Sequence, residues 1–187
     1  MKEIPSGAGL SKEHLLSKNM TLKEFNDLDK GAARKELMKC CGSSRWALLM
    51  IKNLPFASEV DLLNKASQIW KEECKKQDWL EAFENHPKIG DIKSMEKKFA
   101  ATKNWAGAEQ AGVAKANEKI IEELAKGNNA YEEKFHFIFI VCATGKSAEE
   151  MLYLLKSRLR NNYEDELMIA MNEQNKITQI RLQKLIA

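Results

Sequence analysis

From Thr21 onward, apolar residues recur at intervals of three and four, the spacing that stacks side chains on one face of an α-helix. Thr21 followed by Glu24 has the spacing of a capping box. In LDKGAARKELMKCCG the apolar positions 28, 32, 37, 40 and 41 predict a helix that Gly42 closes. SSRWALLMIKNLP opens another at Ser43 or Ser44, which must end before Pro55 because the residue preceding a proline avoids helical geometry. In SEVDLLNKASQIWKEEC, Val60, Leu63, Ala66, Ile69 and Trp70 fall on one stripe. DWLEAFENHP reads as a short helix broken by Pro87. A long helix is expected over 106–125, ending around Gly127-Asn128-Asn129. Ser147 and Glu150 form a second capping box ahead of MLYLLKSRLRN, and YEDELMIAMNEQNKITQIRLQKLIA closes the chain as a long amphipathic helix.

One stretch breaks the pattern. KFHFIFIVCAT, residues 134–144, is aromatic and β-branched, and its propensity alone favours a strand. Nothing else in the chain alternates well enough to pair with it. The expectation is therefore an all-α, single compact multi-helix domain over residues 20–187, with one extended buried segment near 135–143. Such a segment must find partners for its backbone groups, and a bound ligand is one candidate. Residues 1–19 lack sustained periodicity and are expected to be a loose N-terminal arm.

Composition narrows the class. The 187 residues are 44% hydrophobic and 30% charged, an ordinary globular balance and enough chain to bury a core without staples. No apolar run approaches the roughly 18 residues a membrane span needs, and the N-terminus has no secretory core. The net charge of +3 is spread among interleaved acids and bases, without the single-sign stripe that tracks phosphates, so nucleic acid is not an expected partner. Cys40, Cys41, Cys74 and Cys142 form neither a CxxC pair nor a zinc-spaced set with histidine. A reduced, buried Cys40–Cys41 pair and a cytoplasmic location follow from that usage.

Three polar residues sit where two readings compete. His86, locked by Pro87 at a helix end, is either a cation on the helix dipole or a group that does chemistry. Arg181 falls on or beside the apolar stripe formed by Leu167, Ala170, Met171, Gln174 and Ile177. It either snorkels to water or points its fork into a pocket, where it could hold a planar anion. Glu109 lies among Trp105, Ala108, Ala111, Gly112 and Val113. It is either an N-terminal helix acid or a partly desolvated general acid or base, with Gln110 beside it as a neutral donor and acceptor. His136 reads as structural within its apolar run, His14 as part of the arm, and no metal site is expected because the histidines do not cluster.

Taken together, LEAFENHPKIGD, NWAGAEQAGV, EKFHFIFIVCATGKSAEEML and KITQIRLQKL resemble the OHCU decarboxylase family. OHCU is 2-oxo-4-hydroxy-4-carboxy-5-ureidoimidazoline, a late intermediate of urate oxidation. The resemblance runs from about Thr21 to Leu185, through four motifs in order, with CCGSSRW and LPF also matching the family's N-terminal half. It implies an all-helical, cofactor-independent enzyme, often a homodimer, that decarboxylates OHCU to (S)-allantoin and carbon dioxide. Carried over motif by motif, the resemblance implies that His86, Glu109 and Arg181 are catalytic. It further implies substrate contacts from Pro87, from Ala106, Gly107, Ala108 and Gln110, and from Phe139, Ile140, Val141, Cys142 and Ala143. The chain departs from the family at Ala106, where a substrate-contacting serine is frequent. Two other readings stay open on the residues: a non-catalytic helical interaction module, and a hydrolase acting on a neighbouring ureide such as 5-hydroxyisourate.

Overall fold

The computed structural model describes residues 20–86 and 110–187. Among the described residues there are eight α-helices and no strand. They are α1 (Leu22–Asn26), α2 (Lys30–Cys40), α3 (Ser44–Lys52), α4 (Glu59–Gln68), α5 (Lys76–Glu84), α6 (Gln110–Phe135), α7 (Ala148–Arg158) and α8 (Tyr163–Leu185). A single π-turn, Ile69–Glu73, extends α4. The all-helical expectation holds, and residues 137–143 run as an extended, largely buried segment between α6 and α7.

Local chemistry starts most of these helices. Thr21 Oγ1 accepts from the Glu24 N–H at 3.2 Å while Glu24 Oε2 accepts from the Thr21 N–H at 2.7 Å, completing the expected capping box. Ser147 and Glu150 repeat it for α7. Asp29, Ser43, Ser58 and Asn162 cap α2, α3, α4 and α8 through their side-chain oxygens.

The buried faces then join into one core. Trp46 and Trp70 are fully enclosed, with Trp46 Nε1 donating to Ala66 O at 3.0 Å and Trp70 Nε1 to Met171 O at 2.9 Å. A buried indole needs such an acceptor, and here each bond also ties two helices together. Phe135, Phe137, Phe139 and Tyr131 form a ring cluster around the start of the extended segment.

Several boundaries differ from those the sequence suggests. Ala33 rather than Ala32 is buried in α2, and Leu62 replaces Val60, which is 65% exposed. The long helix does not stop at Gly127 but continues to Phe135. A Cβ at Gly127 would lie 2.6 Å from Leu155 Cδ2, so this glycine serves the close crossing of α6 and α7 rather than a helix end. The stop falls at His136, which takes a left-handed φ of 58° at the surface, so it is not part of the buried run. Gly42 likewise marks a close approach: its hypothetical Cβ would lie 2.5 Å from Asn85 Cβ. All four cysteines are buried and free.

Candidate functional site

The end of α5, the extended segment and the last turns of α8 enclose a cleft of about 300 Å³. His86, residues 139–144, Ile177, Ile180, Arg181 and Lys184 line it. It therefore brings together two of the three residues the sequence singles out and the extended segment from Phe139 onward.

His86 is placed by its neighbour. Asn85 Nδ2 donates to Gly42 O at 3.0 Å and to Glu81 O at 3.0 Å, anchoring the end of α5 against the α2–α3 connection. The missing side chain of Gly42 is what allows that approach. The His86 N–H closes the turn on Phe83 O at 3.0 Å. Burial, and then the nearby Arg181 guanidinium, push the imidazole down to about 4, against a smaller upward pull from Gln174. The ring is therefore neutral at pH 7, which removes the reading of His86 as a cation on the helix dipole. Its Nε2 is buried without a hydrogen-bond partner among the described residues.

Arg181 lies on the cleft side of α8. Its Nη1 reaches the carbonyls of Cys40 at 3.3 Å and Lys39 at 3.4 Å. These belong to the last turn of α2, where unpaired carbonyls and the helix dipole both favour a cation. No described residue accepts from the remaining N–H groups of the fork, and Arg181 lines the cleft. Arg181 is thus tied to the end of α2 and forms no salt bridge with a described residue.

The extended segment is clamped from behind. Arg158 Nη1 donates to Ile140 O at 2.8 Å, while its Nε and Nη2 reach Glu166 Oε1 at 2.7 and 2.5 Å. Tyr131 donates its hydroxyl to the same carboxylate oxygen, and Asn161 Nδ2 donates to Glu166 Oε2 at 2.7 Å. Burial raises the Tyr131 pKa, which keeps the phenol protonated as that donor. The Arg158 guanidinium also lies 4.6 Å from the Phe139 ring centroid.

Two residues on, Glu173 Oε2 accepts from the Cys142 N–H at 2.7 Å and Lys146 Nζ donates to Cys142 O at 2.7 Å. Burial alone would raise the Glu173 pKa, but Lys176 and the Cys142 N–H hold it below the usual carboxylate value. Backbone groups alternate sides along an extended chain. With Ile140 and Cys142 held on one side, the Val141 N–H and C=O turn to the other, where no described residue bonds them.

Of the sequence candidates, Phe139, Ile140, Val141, Cys142 and Ala143 line the cleft with His86 and Arg181. Gln110 lies at the start of α6. Pro87, Ala106, Gly107, Ala108 and Glu109 lie outside the described residues. Sequence reasoning passed over Lys184, Thr144 and Gln174. Lys184 follows Ile177, Ile180 and Arg181 at helical spacing, which was a readable signal. Gln174 sat on the apolar stripe and is 0% exposed.

Comparison with known proteins adds the family. The model of the family described as OHCU decarboxylase matches residues 26–183. The uric acid degradation bifunctional protein TTL of Arabidopsis thaliana is 38% identical over 148 residues, covering 79% of this chain and 45% of that protein. The chain spans less than half the length of this relative and of two similar bifunctional relatives from Bacillus, at 32% and 33%. The 2-oxo-4-hydroxy-4-carboxy-5-ureidoimidazoline decarboxylase of Halalkalicoccus jeotgali is 25% identical over 89% of this chain and 92% of its own. A crystal structure of OHCU decarboxylase in the presence of (S)-allantoin superposes with a TM-score of 0.66 at 38% identity, covering 81% of this chain and 96% of that one. This chain belongs to the OHCU decarboxylase family.

Proposed function

We propose that the cleft decarboxylates OHCU to (S)-allantoin and carbon dioxide. The observation that carries this reading is the meeting in one cleft of a neutral His86, an Arg181 fork held to α2 through Nη1, and a Val141 backbone that no described residue bonds. In the reaction the carbon–carbon bond to the carboxylate breaks and carbon dioxide leaves. The electron pair moves into the ring's neighbouring unsaturation, and a proton is delivered to one face of the ring. No external electron acceptor is needed, so the protein's task is orientation, exclusion of water and control of that proton.

Each lining group has a part in that task. Arg181 clamps the anionic or carbonyl oxygen of the substrate with the N–H groups not spent on α2. Neutral His86 accepts the proton of the substrate hydroxyl as the carboxylate departs and returns it to the product. The Val141 N–H and C=O pair with an amide edge of the ring, which answers why this segment is extended but joins no sheet. Glu109, next to Gln110, would orient the histidine or the ureido N–H groups. The working unit would be a homodimer, as the family resemblance suggests, and the reduced cysteines suit a cytoplasmic location.

The test mixes the purified chain with freshly generated OHCU and follows circular dichroism at the allantoin band together with carbon dioxide release. Accelerated, optically active allantoin with matching carbon dioxide is expected. Racemic product at the spontaneous rate would reject the decarboxylase reading and favour a non-catalytic interaction module. Turnover of 5-hydroxyisourate without carbon dioxide would favour the hydrolase.

A further inference from the structure

Two complementary polar atoms beside the cleft are buried without a hydrogen-bond partner among the described residues. Gln174, on α8, is 0% exposed. Its Nε2 donates to Thr178 Oγ1 at 3.2 Å, which turns its Oε1 the other way, and no described residue donates to that oxygen. His86 Nε2 is likewise buried and unpartnered. Gln174 is also the group that pulls the His86 pKa upward, so the two side chains lie within each other's reach although no bond of good geometry joins them at rest. Buried polar atoms in native proteins are nearly always paired, so two complementary orphans close together need a reason.

We propose that Gln174 is a positioning residue for His86, its Oε1 accepting the Nε2–H of the ring and so leaving the Nδ1 lone pair for the cleft. A neutral imidazole carries one donor and one acceptor nitrogen, and the partner of one decides the character of the other. The opposite tautomer would set the Nε2 lone pair against the amide oxygen. Rotating the amide would turn its Oε1 to the Thr178 hydroxyl, whose proton already has the Cys41 sulfur in reach, and surrender the Nε2 bond. Facing the ring from the cleft are Arg181 and Lys184, both cations, and no acid lines the cleft among the described residues. A neutral amide thus fixes the ring without inviting a proton, as a carboxylate would. The catalytic meaning of this arrangement rests on the decarboxylase reading, but its geometry does not.

The experiment is long-range ¹H–¹⁵N NMR on the full-length, uniformly labelled chain. Only three histidines are present, and the His86 signals are identified by their loss in His86→Gln. At neutral pH the proton is expected on Nε2. Gln174→Leu should give a mixture of tautomers, and Gln174→Glu should raise the ring's pKa by about one unit or more, a tenfold change in proton affinity. In kinetics Gln174→Leu should lower kcat with KM nearly unchanged, and Gln174→Glu should shift the acid limb of the rate profile upward. A proton on Nδ1 in the wild-type chain overturns the proposal, as does an unchanged tautomer and pKa in both variants. If neither variant folds, the wild-type tautomer alone decides. Failure to decarboxylate OHCU with the proton on Nε2 would reject the proposed function and leave this assignment standing.

Discussion

Replacing Arg158 with methionine keeps most of the stem and removes the charge. The carboxylate left behind, Glu166, is 0% exposed and loses both contacts from the guanidinium at 2.7 and 2.5 Å. Among the described residues only the Tyr131 hydroxyl and Asn161 Nδ2 remain on it, and Ile140 O loses the Arg158 donor as well. Breaking a buried ion pair by removing one partner costs about 3–5 kcal/mol. That is a large share of a total stability of about 5–15 kcal/mol. With a urea m-value of about 2 kcal/mol/M, the unfolding midpoint should fall by about 1.5–2.5 M at unchanged m. Adding Glu166→Gln to the same chain removes the stranded charge and should restore about 1–2 kcal/mol. Because Ile140 O is released, KM should also rise in Arg158→Met. A loss under about 1 kcal/mol, or a double variant no more stable than the single, would refute the claim that this pair is what pins the cleft wall.

Four further outcomes follow from the structure. With the His86 pKa at about 4, kcat/KM should stay flat from pH 7 to about 5 and fall below that, whereas an ordinary histidine would impose a limb near 6.5. The same depression makes the unfolded chain the better proton binder between 6.5 and about 4, so this contribution to stability is complete above 6.5 and declines through that window on acidification; urea melts at several pH values check it. Burial pushes the thiols of Cys40, Cys41 and Cys74 up to about 12, so an aromatic disulfide reagent at pH 8 should leave these three unreacted in the native chain and modify them once urea unfolds it. Gly127→Val places a side chain in contact with Leu155, and thermal unfolding should show a loss of about 1–3 kcal/mol.

What was legible in the sequence was local. Capping boxes at Thr21 and Ser147 depend on residues three apart, and both form as the spacing suggests. Gly42 does follow the end of α2 at Cys40, as its position suggests, but Gly127 lies inside a helix that runs on to Phe135. The close approaches these glycines allow, to Asn85 and Leu155, lie 43 and 28 positions away, and no local pattern reveals them. No local pattern sets Arg158 and Glu166 apart from the charged residues around them. Their burial depends on Tyr131 and Ile140, which reach them from other elements. Arg181 was visible because a charge on an apolar stripe contradicts the helix around it. Gln174 carried the same contradiction in a neutral form, which is why it drew less notice. The extended segment was legible as an anomaly: its propensity favoured a strand, and the absence of any partner strand left a ligand-facing backbone as one explanation.

The central claim is that His86 in this cleft carries the stereospecific decarboxylation. The most direct test is the initial rate of (S)-allantoin formation from freshly generated OHCU by wild-type and His86→Ala chains, compared at equal folded concentration. The account predicts that the variant keeps the wild-type far-ultraviolet spectrum and melting behaviour but produces only the racemic, spontaneous background. Full activity in His86→Ala would contradict it.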